Sequence, residues 1–155
     1  MNIKKLFMAF AIVAMSLISS IAYAGTFVNV QSTTSTKGNI SGTLTVKMGD
    51  HTNSFTNFSD LTVTENADNT IDIKINNLQI GSMPGKISID AEGVSLNDTE
   101  EEYTDVVTFK FISTSYYDAN IKASKVNGKI IFSIVTLNAK YLGVPFTANV
   151  EFVQD

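Results

Sequence analysis

The chain has 155 residues and a formal net charge of −4, and it contains no cysteine. No disulfide can stabilise it, but a domain of this length buries enough surface to form an independent core. All 11 residues of the Lys plus Arg count are lysines. Because no guanidinium group is present and the net charge repels phosphate, we exclude nucleic acid as a partner.

The N-terminal segment has the pattern of an export signal. Two lysines precede an apolar run over residues 6–18, and an Ala-x-Ala cleavage site ends at Ala24. We predict a signal peptide over residues 1–24, a single domain over residues 25–155, and export to the periplasm or the extracellular space of a Gram-negative bacterium. A transmembrane anchor is the alternative, although the apolar run is shorter than the roughly 20 residues that a span needs.

Beyond the signal, apolar and polar residues alternate in short runs, which is typical of half-buried strands. A helical stripe of apolar residues is not found there. The segment 25–36 is either a first strand or a loose leader. Residues 49–53 and 97–102 are predicted loops, and a turn is predicted near Leu142-Gly143. The predicted strands cover residues 40–48, 55–65, 71–80, 87–96, 107–111, 117–126, 129–139 and 146–152.

Two slips in this alternation predict β-bulges. They occur at Asn76-Asn77 and at Glu92-Gly93, and bulges bend a sheet and help it to close. Short loops between successive strands also indicate an antiparallel meander. We therefore predict an all-β fold, an antiparallel up-and-down barrel of about eight strands, with a β-sandwich as the alternative.

Asn127-Gly128 is the clearest turn in the sequence, because a type I′ turn requires positive φ at both central residues. The two-residue loop fixes the register of the flanking strands. It places Val126 opposite Lys129, Ala123 opposite Phe132, and Ile121 opposite Ile134. The same register turns Ile130, Phe132 and Ile134 toward the core.

The strand after this turn is apolar on both faces. Its predicted outer side chains are Ile131, Val135 and Leu137. Such a strand is usually covered on its outer face, either by the leader or a neighbouring loop of the same chain, or by a partner or a second copy.

Catalytic chemistry finds little support in the sequence. His51 is the single histidine and lies in a predicted turn, so zinc, copper and haem would lack their preferred ligands. No nucleophile elbow, P-loop or dinucleotide motif occurs. We predict no catalytic residue, no metal site, no cofactor and no enzymatic activity. Paired carboxylates for glycoside hydrolysis stay open, because their spacing depends on the fold.

An acidic stretch over residues 98–105 contains five carboxylates. We interpret it as a solvated loop that protects a sheet edge. Weak calcium binding is the alternative, although the stretch lacks the alternating carboxylates and central glycine of a calcium loop.

The interior of an eight-stranded barrel is either filled by side chains or holds one small ligand. Small residues at predicted inward positions, such as Ala119 and Ala148, are compatible with both. If an apolar ligand binds there, the predicted lining residues are Phe109, Ile121, Phe132, Ile134, Phe146 and Val150.

Three segments resemble the calycin-like β-barrel domain of exported bacterial proteins, which is similar to lipocalins. They are Gly42-Thr43-Leu44-Thr45-Val46, Asp68-Asn69-Thr70 leading into residues 71–78, and Val150-Glu151-Phe152. The resemblance covers most of residues 40–152 and implies a barrel of about eight strands, without an established activity. The chain departs from true lipocalins in having no tryptophan for their Gly-x-Trp motif, and from lipoproteins in having no cysteine after Ala24.

Together these features predict an exported, non-catalytic binding module for a small apolar ligand or a macromolecular partner, such as an envelope protein. The alternative is a structural or interaction protein of the cell envelope that uses the apolar outer face. Because the predicted outer faces are rich in Asp, Lys, Asn and Ser, we do not expect the cleaved chain to span a membrane.

Overall fold

The computed structural model describes the backbone of residues 36–38 and all atoms of residues 40–155. The predicted signal peptide and residues 25–35 of the predicted leader lie outside this part. All regular secondary structure within these residues is β-strand. The strands are β1 (Thr36–Gly38), β2 (Gly42–Met48), β3 (His51–Thr56), β4 (Leu61–Glu65), β5 (Thr70–Leu78), β6 (Lys86–Ser95), β7 (Glu101–Lys110), β8 (Thr114–Val126), β9 (Lys129–Thr136), β10 (Lys140–Tyr141), β11 (Val144–Pro145) and β12 (Ala148–Gln154).

The main sheet is antiparallel and follows the order β1-β4-β5-β6-β7-β8-β9-β12-β2-β3. β1 lies at one end of this order and β2 near the other, yet only residues 39–41 separate them in the chain. β1 pairs with β4, and β2 pairs with β3. Because β1 leads into β2 and β3 leads into β4, each of these two segments acts as one long strand, and together they join the two ends of the sheet. The predicted fold class, an antiparallel up-and-down barrel of about eight strands, is confirmed.

The core fills the interior of this barrel. Inward side chains of the strands expose almost none of their surface, and Phe132 and Phe152 stack with ring centroids 5.1 Å apart. Residues such as Leu44, Ile73 and Ile121 expose 0% of their surface, so no space large enough for a water molecule lies beside them. The interior is packed at the level typical of protein cores around these residues.

The predicted register of the Asn127-Gly128 hairpin is confirmed. β8 and β9 pair Val126 with Lys129, Ala123 with Phe132, and Ile121 with Ile134. Both predicted bulges also coincide with register shifts between β5 and β6, one between Ile71 and Ile73 and one between Ile75 and Leu78.

Two predicted boundaries near the first hairpin are wrong. The turn contains only Gly49 and Asp50, and β3 already begins at His51, paired with Met48. The predicted strand over 55–65 is also interrupted, because Asn57 has a positive φ of 52° and its side chain accepts a hydrogen bond from the Gly42 N–H. This contact joins the start of β2 to the connection between β3 and β4.

Two further boundaries differ from the predictions. β7 begins at Glu101, so part of the acidic stretch belongs to a strand rather than a loop. The last strand begins at Ala148 instead of residue 146. The chain before it forms a separate hairpin, β10–β11, around Leu142-Gly143. A turn was predicted at this position, but a hairpin outside the main sheet was not.

The antiparallel order gives the barrel two distinct ends. The β10–β11 end carries the connections 49–50, 79–85, 111–113 and 137–147. The opposite end, here the Asn127 end, carries the connections 66–69, 96–100 and 127–128. The candidate functional site lies at the first of these.

Candidate functional site

Four large apolar side chains at the β10–β11 end are exposed to solvent. Phe111 and Ile112, in the turn between β7 and β8, expose 43% and 79% of their surface. Leu142 and Val144, in the β10–β11 hairpin, expose 77% and 66%. We call these four residues the apolar tip. Single exposed apolar residues are common on proteins, but a group of them on adjacent turns is typical of an interaction site.

The backbone at Leu142 is unusual for leucine. Leu142 and Gly143 have φ values of 50° and 81°, and Tyr141 pairs with Val144, which defines a two-residue turn with two positive φ angles. Within residues 36–38 and 40–155, eight non-glycine residues have positive φ, and all except Leu142 are Asn or Asp. Asn and Asp tolerate this conformation, whereas a leucine there costs on the order of 1 kcal/mol.

The hairpin is held on the barrel by four aromatic rings, which we call the aromatic platform. The Tyr141 ring meets Phe109 edge-on at 4.7 Å, and the Tyr117 ring meets Phe146 at 5.4 Å. Phe109 and Phe146 link the two pairs with centroids 6.0 Å apart. Such edge-to-face pairs add stability beyond the area that they bury.

Hydrogen bonds fix the hairpin on the platform. The Tyr117 hydroxyl donates to the Lys140 carbonyl over 2.6 Å, and the Tyr141 hydroxyl accepts from the Ile112 N–H over 3.4 Å. The second bond joins the two turns of the apolar tip. The two turns of the tip are therefore held together by contacts within the chain.

A glycine makes room for the platform. The Phe109 ring lies where a Cβ on Gly85 would be, with the nearest ring carbon 2.3 Å from that position. The ring thereby covers the backbone at the start of β6, and any larger residue at position 85 would displace it.

Lysines surround the apolar tip. Lys86 and Lys110 lie directly opposite each other on β6 and β7, and Lys140 begins β10. All three are exposed, as is Lys47 near the same end of β2. The ion pairs found within residues 40–155 involve other lysines. Like charges placed opposite each other destabilise a sheet, and Lys86 has only a long hydrogen bond of 3.5 Å to Asn77 in return.

The predicted ligand-lining residues are distributed over the barrel. Phe109 and Phe146 meet in the aromatic platform, although Phe146 is only half-buried. The other four point into the packed interior and are buried; they are Ile121, Phe132, Ile134 and Val150. Contact of these residues with a ligand stays a prediction.

Of the predicted outer side chains, those of Ile131 and Val135 alternate with buried residues of β9 and point outward, and Leu137 follows the end of this strand. Ile131, Val135 and Leu137 are half-buried on the outer wall. Ile131 lies between Ser124 of β8 and Val153 of β12. A shallow pocket of about 170 Å³ adjoins it and combines apolar with charged side chains, including those of Asp98, Lys122 and Glu151.

The acidic stretch is bound to β8 by strand pairing of residues 101–103 and by side-chain contacts. Asp98 lies 3.4 Å from the Lys122 ammonium, and Glu100 accepts a hydrogen bond of 2.6 Å from Asn120. Burial and the nearby Glu101 carboxylate raise the pKa of Tyr103 above its usual value of 10.0. In the part of the chain that the structure describes, no three His, Asp or Glu side chains converge as a metal site would require.

His51 is exposed at the start of β3. Across residues 36–38 and 40–155, there is no helix with the length and apolar character needed to cross a membrane.

None of the four residues of the apolar tip was predicted from the sequence to belong to a site. Leu142-Gly143 was identified only as a turn. The available signal was a leucine at a position where Asn, Asp or Gly is the favoured residue. A second signal was the apolar pair Phe111-Ile112, which directly precedes the polar residues Ser113 and Thr114 at a turn.

Comparison with known proteins agrees with this architecture. The family model of the calycin-like beta-barrel domain matches residues 36–155, which is most of the chain. No curated protein and no solved structure matches it. Since the matched residues span all the strands of the closed antiparallel barrel, the chain belongs to the family of calycin-like β-barrel domains.

Proposed function

We propose that this protein is an exported, non-catalytic binding module and that the apolar tip is its contact surface. The observation that carries the proposal is the conformation of Leu142, an exposed leucine with a φ of 50°. The signal pattern of residues 1–24 supports export, and the family supports a role in binding.

Leu142 makes no contribution to folding stability that its burial or backbone conformation would explain. Its side chain is 77% exposed, so its burial contributes little to folding, and its backbone conformation is unfavourable for leucine. The β8–β9 hairpin has Asn127 at the equivalent turn position, with a φ of 51°. A leucine in this conformation is understandable if its exposed side chain contacts a partner.

The packing of the interior also favours a partner outside the barrel. Ile121, Ile134 and Val150 expose at most 1% of their surface, so an internal ligand would have to displace core side chains. The apolar tip needs no such rearrangement, because the platform already holds it in place.

A small apolar ligand at the aromatic platform is the second candidate. Phe109 and Phe146, two predicted lining residues, meet beneath a hairpin whose strands have only two residues each. Movement of this hairpin would expose the rings without opening the main sheet.

The absence of cysteine from the chain allows a direct test with one introduced label. Leu142→Cys carries an environment-sensitive fluorophore, and Val126→Cys, at the exposed tip of the opposite hairpin, serves as the matched control. Both proteins are mixed with the soluble and the envelope fractions of the producing cell. We expect a blue shift and higher intensity only for the label at position 142.

Equal responses of the two labels, or no response in either fraction, would overturn the proposal. A small apolar ligand predicts a different result. The label at position 142 would then respond to the organic extract of the cell, and Tyr117→Phe, which removes the hydrogen bond to the Lys140 carbonyl, would change that response.

A further inference from the structure

The charges at the two ends of the barrel differ in sign. Lys86, Lys110 and Lys140 lie around the apolar tip. The acidic residues near them are Asp50 of the β2–β3 turn and Asp60, which accepts a hydrogen bond from Asn77. The Asn127 end carries Lys122, Lys125 and Lys129, but carboxylates outnumber them, because Glu65, Asp68 and most of the acidic stretch 98–105 lie at this end. A protein with net negative charge therefore presents a basic face at the end where its apolar side chains protrude.

The apolar tip is a small surface formed by two adjoining turns, the β7–β8 turn and the turn of the β10–β11 hairpin. A standard protein interface buries about 800 Å² on each partner and uses roughly 20–30 residues a side. The apolar part of the tip consists of four residues, and exposed lysines adjoin it on both turns. Insertion into a bilayer surface needs less, because apolar side chains enter the headgroup region while lysines contact anionic lipids around them.

We infer that the partner of the apolar tip is an anionic lipid surface. Leu142 and Ile112, the most exposed residues of the tip, enter the boundary between headgroups and acyl chains. Lys110 and Lys140, which adjoin the two turns, bind lipid phosphates. This inference rests on the proposed function, since it names the surface that the tip contacts.

The two turns are suited to insertion as a unit. The hydrogen bond from the Ile112 N–H to the Tyr141 hydroxyl joins them, and the aromatic platform holds Tyr141 on the barrel. Because the tip is organised in advance, little conformational entropy is lost when it inserts.

Vesicle flotation tests the inference, with protein purified from the cell that produces it. The vesicles contain phosphatidylcholine alone or phosphatidylcholine with phosphatidylglycerol in a ratio of about 3 to 1. We expect partition into the anionic vesicles only, and weaker partition as sodium chloride screens the lysines. Equal partition into both compositions, or none into either, would overturn the inference.

Matched variants locate the contact. Lys140→Gln should lower the partition coefficient about fivefold, whereas Lys129→Gln, at the Asn127 end, should leave it unchanged. Leu142→Asn should lower it about tenfold, and Val126→Asn should not. Equal losses for the members of either pair would contradict binding through the tip.

Failure of this inference and failure of the proposed function are distinguishable. If the label at position 142 responds to the envelope fraction but not to anionic vesicles, the tip binds and the lipid assignment is wrong. Loss of that response after protease treatment of the fraction would identify a protein as the partner instead.

Discussion

Lys125 and Glu65 form an ion pair across the Asn127 end of the barrel. The ammonium of Lys125 lies 2.5 Å from the Glu65 carboxylate, although 60 residues separate them in the chain. Three strands lie between β4 and β8 in the sheet order, so the pair spans the barrel. Both residues continue the inward alternation that buries Val63 and Ala123. This end is therefore covered by charges and the other by aromatic rings.

The Lys125–Glu65 pair should contribute little to stability. The two side chains are 37% and 39% exposed, so solvent screens their attraction. A double-mutant cycle with Lys125→Met and Glu65→Gln should give a coupling energy below about 1 kcal/mol in urea unfolding. A coupling above about 2 kcal/mol would show that the pair is effectively buried.

Leu142→Asn should make the fold more stable. Asn tolerates the positive φ at this position, and the exposed leucine side chain contributes little burial. We expect a gain of about 0.5–1 kcal/mol in the free energy of unfolding, measured with urea. The mirror substitution Asn127→Leu should cost a similar amount. A loss of stability in Leu142→Asn would mean that the leucine serves the fold rather than a partner.

Gly42→Ala should destabilise the barrel. A Cβ at this position would lie 2.5 Å from the Val153 carbonyl oxygen and 2.6 Å from the Phe152 ring. Relief of these contacts requires movement of β12 or of a core aromatic ring, at a cost of roughly 1–3 kcal/mol. Thermal unfolding measures this cost, with Ser41→Ala as the exposed neighbouring control. A melting temperature equal to that of wild type would contradict the close approach.

Tyr103 should ionise at a higher pH than an exposed tyrosine. Burial, followed by the Glu101 carboxylate, raises its pKa above 10.0 in the folded state. Its contribution to stability is therefore fully present below pH 10 and is lost as the pH rises through the folded pKa. Subtraction of the ultraviolet titration of Tyr103→Phe from that of wild type isolates this group. A difference curve with its midpoint at or below pH 10 would contradict the assignment.

The sequence alone determined much of the fold, because strand faces and turns are local properties. Alternation with a period of two placed Phe132 and Ile134 inside and Ile131 outside. The positive φ that Asn127-Gly128 favours fixed the register of the β8–β9 hairpin. Each of these features depends on neighbouring residues, so no knowledge of distant contacts was required.

Only the tertiary structure decided where the candidate site lies. The β7–β8 turn and the β10–β11 hairpin are about 30 residues apart in the chain, and the pairing of β8 with β9 places them side by side, so that Ile112 contacts Tyr141. The curvature of the sheet joins Lys125 of β8 to Glu65 of β4, although three strands lie between them in the sheet order. The sequence determined which residues are apolar, charged or tolerant of a turn. The folded barrel decided which of them meet, because contacts across its ends depend on the path of every strand between them.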